Sequence, residues 1–201
     1  MQRALARIYP TKDTPDLQRR SVGITFSGTG IDYDLVPAFA AGEGTGVYTI
    51  PDRFGAGWIR TNPELHITRS TEANERAAKK LKPVFKMLKH WRRVAGSSVR
   101  SFHLEVLSWG VFSSDPGRYP DALTALVAAL AERLRSTCPD PAGVGPAVDA
   151  SFTNESRERE VRRFAEAAEQ MRRLLAMEAQ GDVPRALTEW RRLLGEAFPM
   201  R

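Results

Sequence analysis

Asp32 and Asp34 stand two residues apart in the run GIDYDLVPAF, Gly30 to Phe39, so on a β-strand both carboxylates leave from one face. Mg²⁺ takes oxygen ligands, usually one or two carboxylates together with substrate phosphates, so a pair at this spacing suits such an ion. The pair also stands out where it is. Asp is depleted in strands, and a carboxylate buried without a partner costs on the order of several kcal/mol. The alternative is a solvated strand face beside a hairpin turn, and D-x-D by itself does not separate the two.

A second pattern is basic. Lys82, Lys86, Lys89 and Arg93 follow at intervals of four, three and four, which lines them along one side of a helix. A cationic stripe of this kind suits a triphosphate or a nucleic-acid backbone; the alternative is a solvated helix face. Trp91 beside it reads as core. His103, in SFHLE (Ser101 to Glu105), has the chemistry of a general base, but inside the apolar run from Val99 to Phe112 it reads equally as a structural residue. His66 and His90 have no Cys or His at zinc-ligand spacing. SGTG, Ser27 to Gly30, lacks the Lys and the following helix of a P-loop and reads as a hairpin turn.

The elements that position these residues follow from periodicity. Val22, Ile24 and Phe26 alternate before SGTG, and Ile31, Tyr33 and Leu35 alternate after it, which predicts a hairpin. Asp32, Asp34 and Val36 then share the opposite face of the second strand. Pro37 marks that strand's end or edge. Residues 40–66 read as loop-rich, with turns at AAGEGTG and PDRFGAG around a short strand at VYTI. Beyond them the chain reads as helical. Ser70 is the expected N-cap of a helix over TEANERAAKKLKPVFKMLKHWRRVAG, with Ala78, Leu81, Phe85, Leu88 and Trp91 inward, Pro83 kinking or dividing it, and Gly96 ending it. Leu123, Leu126, Val127, Leu130 and Leu134 form the stripe of the next helix. The linker CPDPAGVGP precedes a long helix near Glu155 to Gln180, with Val161, Phe164, Ala168, Met171 and Leu175 inward, and VPRALTEWRRLLGEAF closes the chain. The expected class is α+β, with a small β portion over 1–66 and a larger helical portion over 67–201.

Composition bounds the function. Of 201 residues 42% are hydrophobic and 27% charged, as in a globular protein. No apolar run approaches a transmembrane span, and MQRALARIYPTKD has no apolar stretch of a secretory signal. One cysteine, Cys138, forms no intramolecular disulfide and supplies no metal-ligand spacing. The expected location is the cytoplasm, and no membrane partner is expected. A net charge of +6 favours an anionic partner.

Taken in order, SVGITFSGTGIDYDLVPAF, GVYTIPD, GWIRTNPELH, FKMLKHWRR, SFHLEVL and GDVPRALTEWRRLLGEAFP resemble the bacterial cyclic-oligonucleotide synthases of CBASS anti-phage signalling, the CD-NTases, relatives of oligoadenylate synthetase and cyclic GMP-AMP synthase. The resemblance implies part of a nucleotidyltransferase β-sheet core over 1–66 and a helical C-terminal domain of the oligoadenylate synthetase type over 67–201. It implies an enzyme that makes a cyclic di- or oligonucleotide from nucleoside triphosphates with Mg²⁺. In DLVPA, Asp34 takes the place of the third carboxylate of the family's metal-binding triad, with Asp32 a same-face neighbour. Lys89 of the K-x-W motif, Lys86 one turn before it, and Ser101 of SFHLE take the places of the nucleotide-binding residues. The partners implied are nucleoside triphosphates, with a nucleic acid or a regulatory protein as a further candidate.

One departure bears on mechanism. The family's signature begins with a G-S turn followed about ten residues later by a D-x-D, and MQRALARIYPTKD resembles the segment after that D-x-D. GTGIDYD imitates the motif at too short a spacing. The resemblance therefore predicts a member lacking its N-terminal third, through a start placed too far downstream or as a fragment that pairs with a separate N-terminal piece. In the complete site three carboxylates hold two Mg²⁺ about 4 Å apart, so the expectation for this polypeptide is weak or absent catalysis. The alternative reading is a non-catalytic module that binds nucleotide or nucleic acid through the basic stripe.

Overall fold

The computed structural model describes residues 1–10, 14–26, 28–55, 57–196 and 198. The chain divides into two units, one of Met1–His66 with Ala142–Pro146, the other of Ile67–Pro141 with the residues from Ala147 on.

In the first unit the alternating residues form the hairpin that their period demands. β1 (Asp16–Leu17), β2 (Val22–Phe26) and β3 (Ile31–Leu35) make an antiparallel sheet in that order. The hairpin turn closes as Thr29 and Gly30 donate their amides to the Phe26 carbonyl, with Gly30 in the left-handed region at φ 66°. Ser27, the first residue of the predicted turn, lies outside the described residues. Val22 and Ile24 are buried, as is Leu5 of the short helix α1 (Gln2–Ile8). Tyr9 then meets Phe26 edge-on at 5.3 Å, and Phe26 meets Tyr33 at 5.6 Å.

The segment expected to be loop-rich is a second antiparallel sheet: β4 (Phe39–Ala40), β5 (Tyr48–Asp52) and β6 (Gly57–Thr61), with β5 central. Pro51 is tolerated in the middle strand because β4 pairs only with Tyr48 and Thr49. At Pro51 that side of β5 is an edge, so the missing N–H breaks no ladder.

The second unit is helical. Of the two outcomes expected at Pro83, a kink or a division, the stretch from Ser70 to Gly96 shows division, into α2 (Pro63–Arg76) and α3 (Leu81–Val94). Ser70 is no N-cap: it lies inside α2, and its hydroxyl donates to Glu105 Oε1 at 3.0 Å. The helix instead opens on a proline at its first position, with Asn62 Oδ1 accepting from the Leu65 amide at 3.0 Å. The break falls before Pro83. Ala78 and Lys79 take left-handed φ of 50° and 64°, and the Lys79 amide closes the turn on the Asn74 carbonyl at 2.7 Å. The Asn74 side chain accepts from the Lys82 amide at 2.9 Å and so caps α3. Pro83 then sits in the first turn of α3, where its absent N–H costs no helix bond. Gly96, at φ 62°, ends the helix as expected.

α4 (Ser101–Ser108), α5 (Tyr119–Arg133), α6 (Asn154–Ala179) and α7 (Val183–Leu194) complete the unit. Its core joins Leu88 and Trp91 of α3, Leu123, Leu126, Val127 and Leu130 of α5, and Phe164 and Met171 of α6. Each such side chain, removed from water, contributes about 2 kcal/mol. Trp91 and Phe164 meet edge-on at 4.8 Å. Ala78 is exposed and Phe85 half-buried, so the inward face of α3 is Leu81, Val84, Leu88 and Trp91. On α6, Leu174 rather than Leu175 is the buried residue of its turn. Thr153 and Ser156 form a reciprocal capping box at the start of α6. Among the described residues no helix is long and apolar enough to cross a membrane.

Candidate functional site

Asp32 and Asp34 share one face of β3, opposite Thr25 and Gly23 of β2. Both are exposed. This corrects the premise that the strand buries them: in water a carboxylate bears no desolvation penalty, so neither acid needs a metal in order to be tolerated. Asp34 Oδ1 accepts from Gln18 Nε2 at 2.9 Å, and Gln18 Oε1 accepts from Ser21 Oγ at 2.9 Å. A Cβ on Gly23 would lie 2.9 Å from Gln18 Nε2 and 3.5 Å from Asp34 Oδ1, so the glycine leaves the space in which that bond is made. Among the described residues no group of three or more His, Cys, Asp or Glu side chains is placed to hold a metal ion. The acid pair offers hard oxygen donors open to solvent, a set that suits one Mg²⁺ shared with phosphate oxygens.

The same unit holds an ion pair that sequence reading passed over. Asp52, the last residue of β5, is buried and accepts from Arg19 Nε at 2.5 Å and from the Arg19 terminal nitrogen at 2.8 Å, with Arg20 at 3.4 Å. The Arg19 hydrogen bond holds the Asp52 carboxyl below its ordinary range, against the upward push of burial. Gly55 makes room for it, since a Cβ there would lie 2.9 Å from Asp52 Oδ2. The only trace in the sequence is an Arg-Arg step before one strand and a P-D-R turn after another.

In the second unit Lys82, Lys86, Lys89 and Arg93 are all exposed on α3, with Leu81, Val84, Leu88 and Trp91 buried on the other side. Among the described residues none of these four cations forms an ion pair, and Trp91 is core as expected. Ser101 opens α4 and is half-buried, following Arg100 in an extended conformation. Arg92 donates to the Val99 carbonyl at 2.6 Å and so ties the end of α3 to the segment that enters α4.

His103 sits in the interior. It is buried edge-on to Phe152 at 5.4 Å, its Nε2 has no partner among the described residues, and burial pushes its pKa down. His90 Nε2 lies 2.7 Å from the Leu194 carbonyl. The five residues singled out from sequence thus form two sets: Asp32 and Asp34 on β3 of the first unit, and Lys86, Lys89 and Ser101 on α3 and α4 of the second.

No family profile matches the chain. In an alignment 200 positions long that covers 91% of this chain, it is 30% identical to the cyclic AMP-AMP-AMP synthase of Acinetobacter sp. and covers 54% of that protein. In an alignment 114 positions long, which covers 52% of this chain and 33% of the relative, it is 30% identical to the CBASS oligonucleotide cyclase CdnC of Escherichia coli. Among solved structures, CdnC of E. coli MS115-1 with ATP aligns with a TM-score of 0.73 at 21% identity, covering 98% of this chain and 71% of that one. DncV of Vibrio cholerae in complex with GTP and 5MTHFGLU2 aligns with a TM-score of 0.77 at 12% identity, over 97% and 56% of the two chains. The class is therefore that of the nucleotidyltransferase fold. Within it, the chain is a relative of the bacterial CD-NTases, as its ordered motifs indicated. It spans about half the length, 54%, of the cyclic AMP-AMP-AMP synthase that it matches.

Proposed function

We propose that these residues serve a CD-NTase-type nucleotidyltransferase that makes a cyclic di- or oligonucleotide from nucleoside triphosphates in anti-phage signalling. The observation that carries the reading is the similarity to the cyclic AMP-AMP-AMP synthase over 91% of the chain. That synthase-like sequence includes a strand whose two acids are open to solvent on one face. In this role Asp34, with Asp32 beside it, holds Mg²⁺, which when bound helps to activate a ribose hydroxyl and to neutralise the leaving phosphates. Lys89 and Lys86 bind triphosphate oxygens as unpaired cations, and Ser101 approaches the phosphates from the first turn of α4. A site of this kind works where ATP and GTP are abundant, in the cytoplasm.

Two acids on one strand suffice for one ion and not for the pair that phosphoryl transfer of this type uses. The residues described here therefore turn over slowly or not at all unless further carboxylates are supplied. Purified protein incubated with ATP, GTP and Mg²⁺ should release no pyrophosphate above background, yet it should bind ATP more tightly when Mg²⁺ is present. Robust formation of pyrophosphate and cyclic product would refute the first part. Equal affinity with and without Mg²⁺ would refute the second.

A second reading has its own support, the four exposed cations of α3 that lack ion-pair partners among the described residues. In that reading the chain is a non-catalytic module for nucleotide or nucleic acid, and Asp34→Ala leaves binding untouched. A regulatory protein is a further proposed partner, since CdnC of E. coli MS115-1 has been solved in complex with a HORMA protein.

A further inference from the structure

The first unit contains a cleft of about 530 Å³ that neither the acid pair nor the basic helix explains. Four arginines, Arg3, Arg19, Arg20 and Arg53, line it, and no acidic side chain is among its lining residues. Leu17 and Pro37 add apolar surface. Arg19 and Arg20 share the single carboxylate of Asp52, which leaves Arg3 and Arg53 facing the cleft with no acidic side chain in its wall.

These groups are held in place. The Arg53 amide donates to the Arg19 carbonyl at 3.0 Å, and the Arg53 guanidinium donates to the Leu17 carbonyl at 3.2 Å, which stitches the turn after β5 to β1 and the segment that follows it. The buried Asp52 fixes the Arg19–Arg20 step from behind. One donor is left over. Arg20 Nε is buried and has no hydrogen-bond partner among the described residues, while the terminal nitrogen of the same guanidinium is 3.4 Å from Asp52. A buried cationic donor without an acceptor is costly, and an oxyanion supplies an acceptor that matches it in charge and geometry.

We propose that this cleft binds a small oxyanion carried on an apolar body, a phosphomonoester or a carboxylate, with Arg20 and Arg53 as its principal ligands and the Leu17–Pro37 surface receiving the apolar part. The assignment does not depend on the nucleotide reading, because it uses none of Asp34, Lys86, Lys89 or Ser101.

Three probes test it on the full chain by calorimetry and thermal melting: phenyl phosphate, benzoate and inorganic phosphate. Phenyl phosphate should bind saturably, with a dissociation constant below about 1 mM, and inorganic phosphate should bind more weakly for want of the apolar contact. Benzoate binding as tightly as phenyl phosphate assigns the cleft to carboxylates, and weaker benzoate binding assigns it to phosphates. Arg20→Lys keeps the charge but removes Nε, and Arg53→Gln alters a residue exposed at the rim. Each should weaken phenyl phosphate binding about tenfold, with the fold checked by circular dichroism. Absence of saturable binding by both organic probes would overturn the proposal. So would unchanged affinity in both folded variants, or affinity lost instead in Lys89→Ala, which would put the anion on α3.

Discussion

Gly23 stands opposite Asp34 across the β2–β3 ladder, and the space where its side chain would be is the space through which Gln18 Nε2 reaches Asp34 Oδ1 at 2.9 Å. The carboxylate that the family resemblance marks as a metal ligand is thus oriented by a neutral amide on an open face. A hydrogen bond exposed to water contributes about 1 kcal/mol or less to stability, so its effect is on orientation rather than on folding.

Gly23→Ala and Gln18→Ala should therefore behave alike. A Cβ on Gly23 meets the flexible end of Gln18, so each variant changes stability by less than about 1 kcal/mol while releasing Asp34 from the same partner. Mn²⁺ titration of both variants should show the same change in affinity relative to the parent. Opposite changes would mean that Gln18 does not act through Asp34.

Lys86→Ala and Lys89→Ala should each weaken ATP binding about fivefold and flatten its dependence on salt, because each removes one phosphate contact. Both side chains are exposed, so unfolding free energy should move by less than about 0.5 kcal/mol. Isothermal titration at two ionic strengths and urea unfolding measure the two effects separately. Lys82→Ala, at the far end of the stripe, tests how far the footprint extends.

Glu160 is fully buried on α6 and accepts from the Ser98 amide at 3.1 Å, the Ser98 hydroxyl at 2.9 Å and Arg163 at 2.6 Å. Burial pushes its carboxyl upward, but these donors hold it below the ordinary range. Glu160→Ala removes the acceptor shared by these donors, which are themselves open to water at Ser98 and Arg163, and should cost about 2 kcal/mol, read as a lower urea midpoint with an unchanged slope.

His103 sets a pH dependence whose sign follows from linkage. Burial lowers its folded pKa below that of the unfolded chain, with Asp149 opposing and Arg157 adding to the shift. Below about pH 6.5 the unfolded chain takes up a proton that the folded chain refuses, so stability falls as pH drops through that window. The depressed carboxyls of Asp149 and Glu160 add their loss at lower pH, beginning near the ordinary carboxylate range. Thermal melts at pH 7.5, 6.5 and 5.5 (about one unit apart across the histidine range) should show the first decline, and His103→Gln should flatten it.

How much of this was legible in the sequence depended on whether the cause was local. Helix α5 could be read because Leu123, Leu126, Val127 and Leu130 repeat at the helical period and all fall in the core. The hairpin could be read because a strand's period is two. Alternation does not say which faces are covered, and both acids of β3 are exposed, the solvated face that the D-x-D spacing alone had left open. The break between α2 and α3 was misplaced because Ala78 and Lys79 adopt left-handed angles that neither residue type signals, stabilised by Asn74. Of sheet β4–β6 only the short strand at VYTI was read, and it is β5; β4, of two residues, is too short for alternation to show. The Arg19–Asp52 pair joins residues 33 apart, and no periodicity reports such a contact.

The most direct test of the account is ATP binding by the full chain with and without Mg²⁺, compared between the parent and Asp34→Ala. Mg²⁺ should tighten binding in the parent, Asp34→Ala should remove this gain, and the variant should keep the weaker, metal-independent affinity carried by α3. An affinity that does not respond to Mg²⁺ in the parent, or a gain that survives in Asp34→Ala, would contradict it.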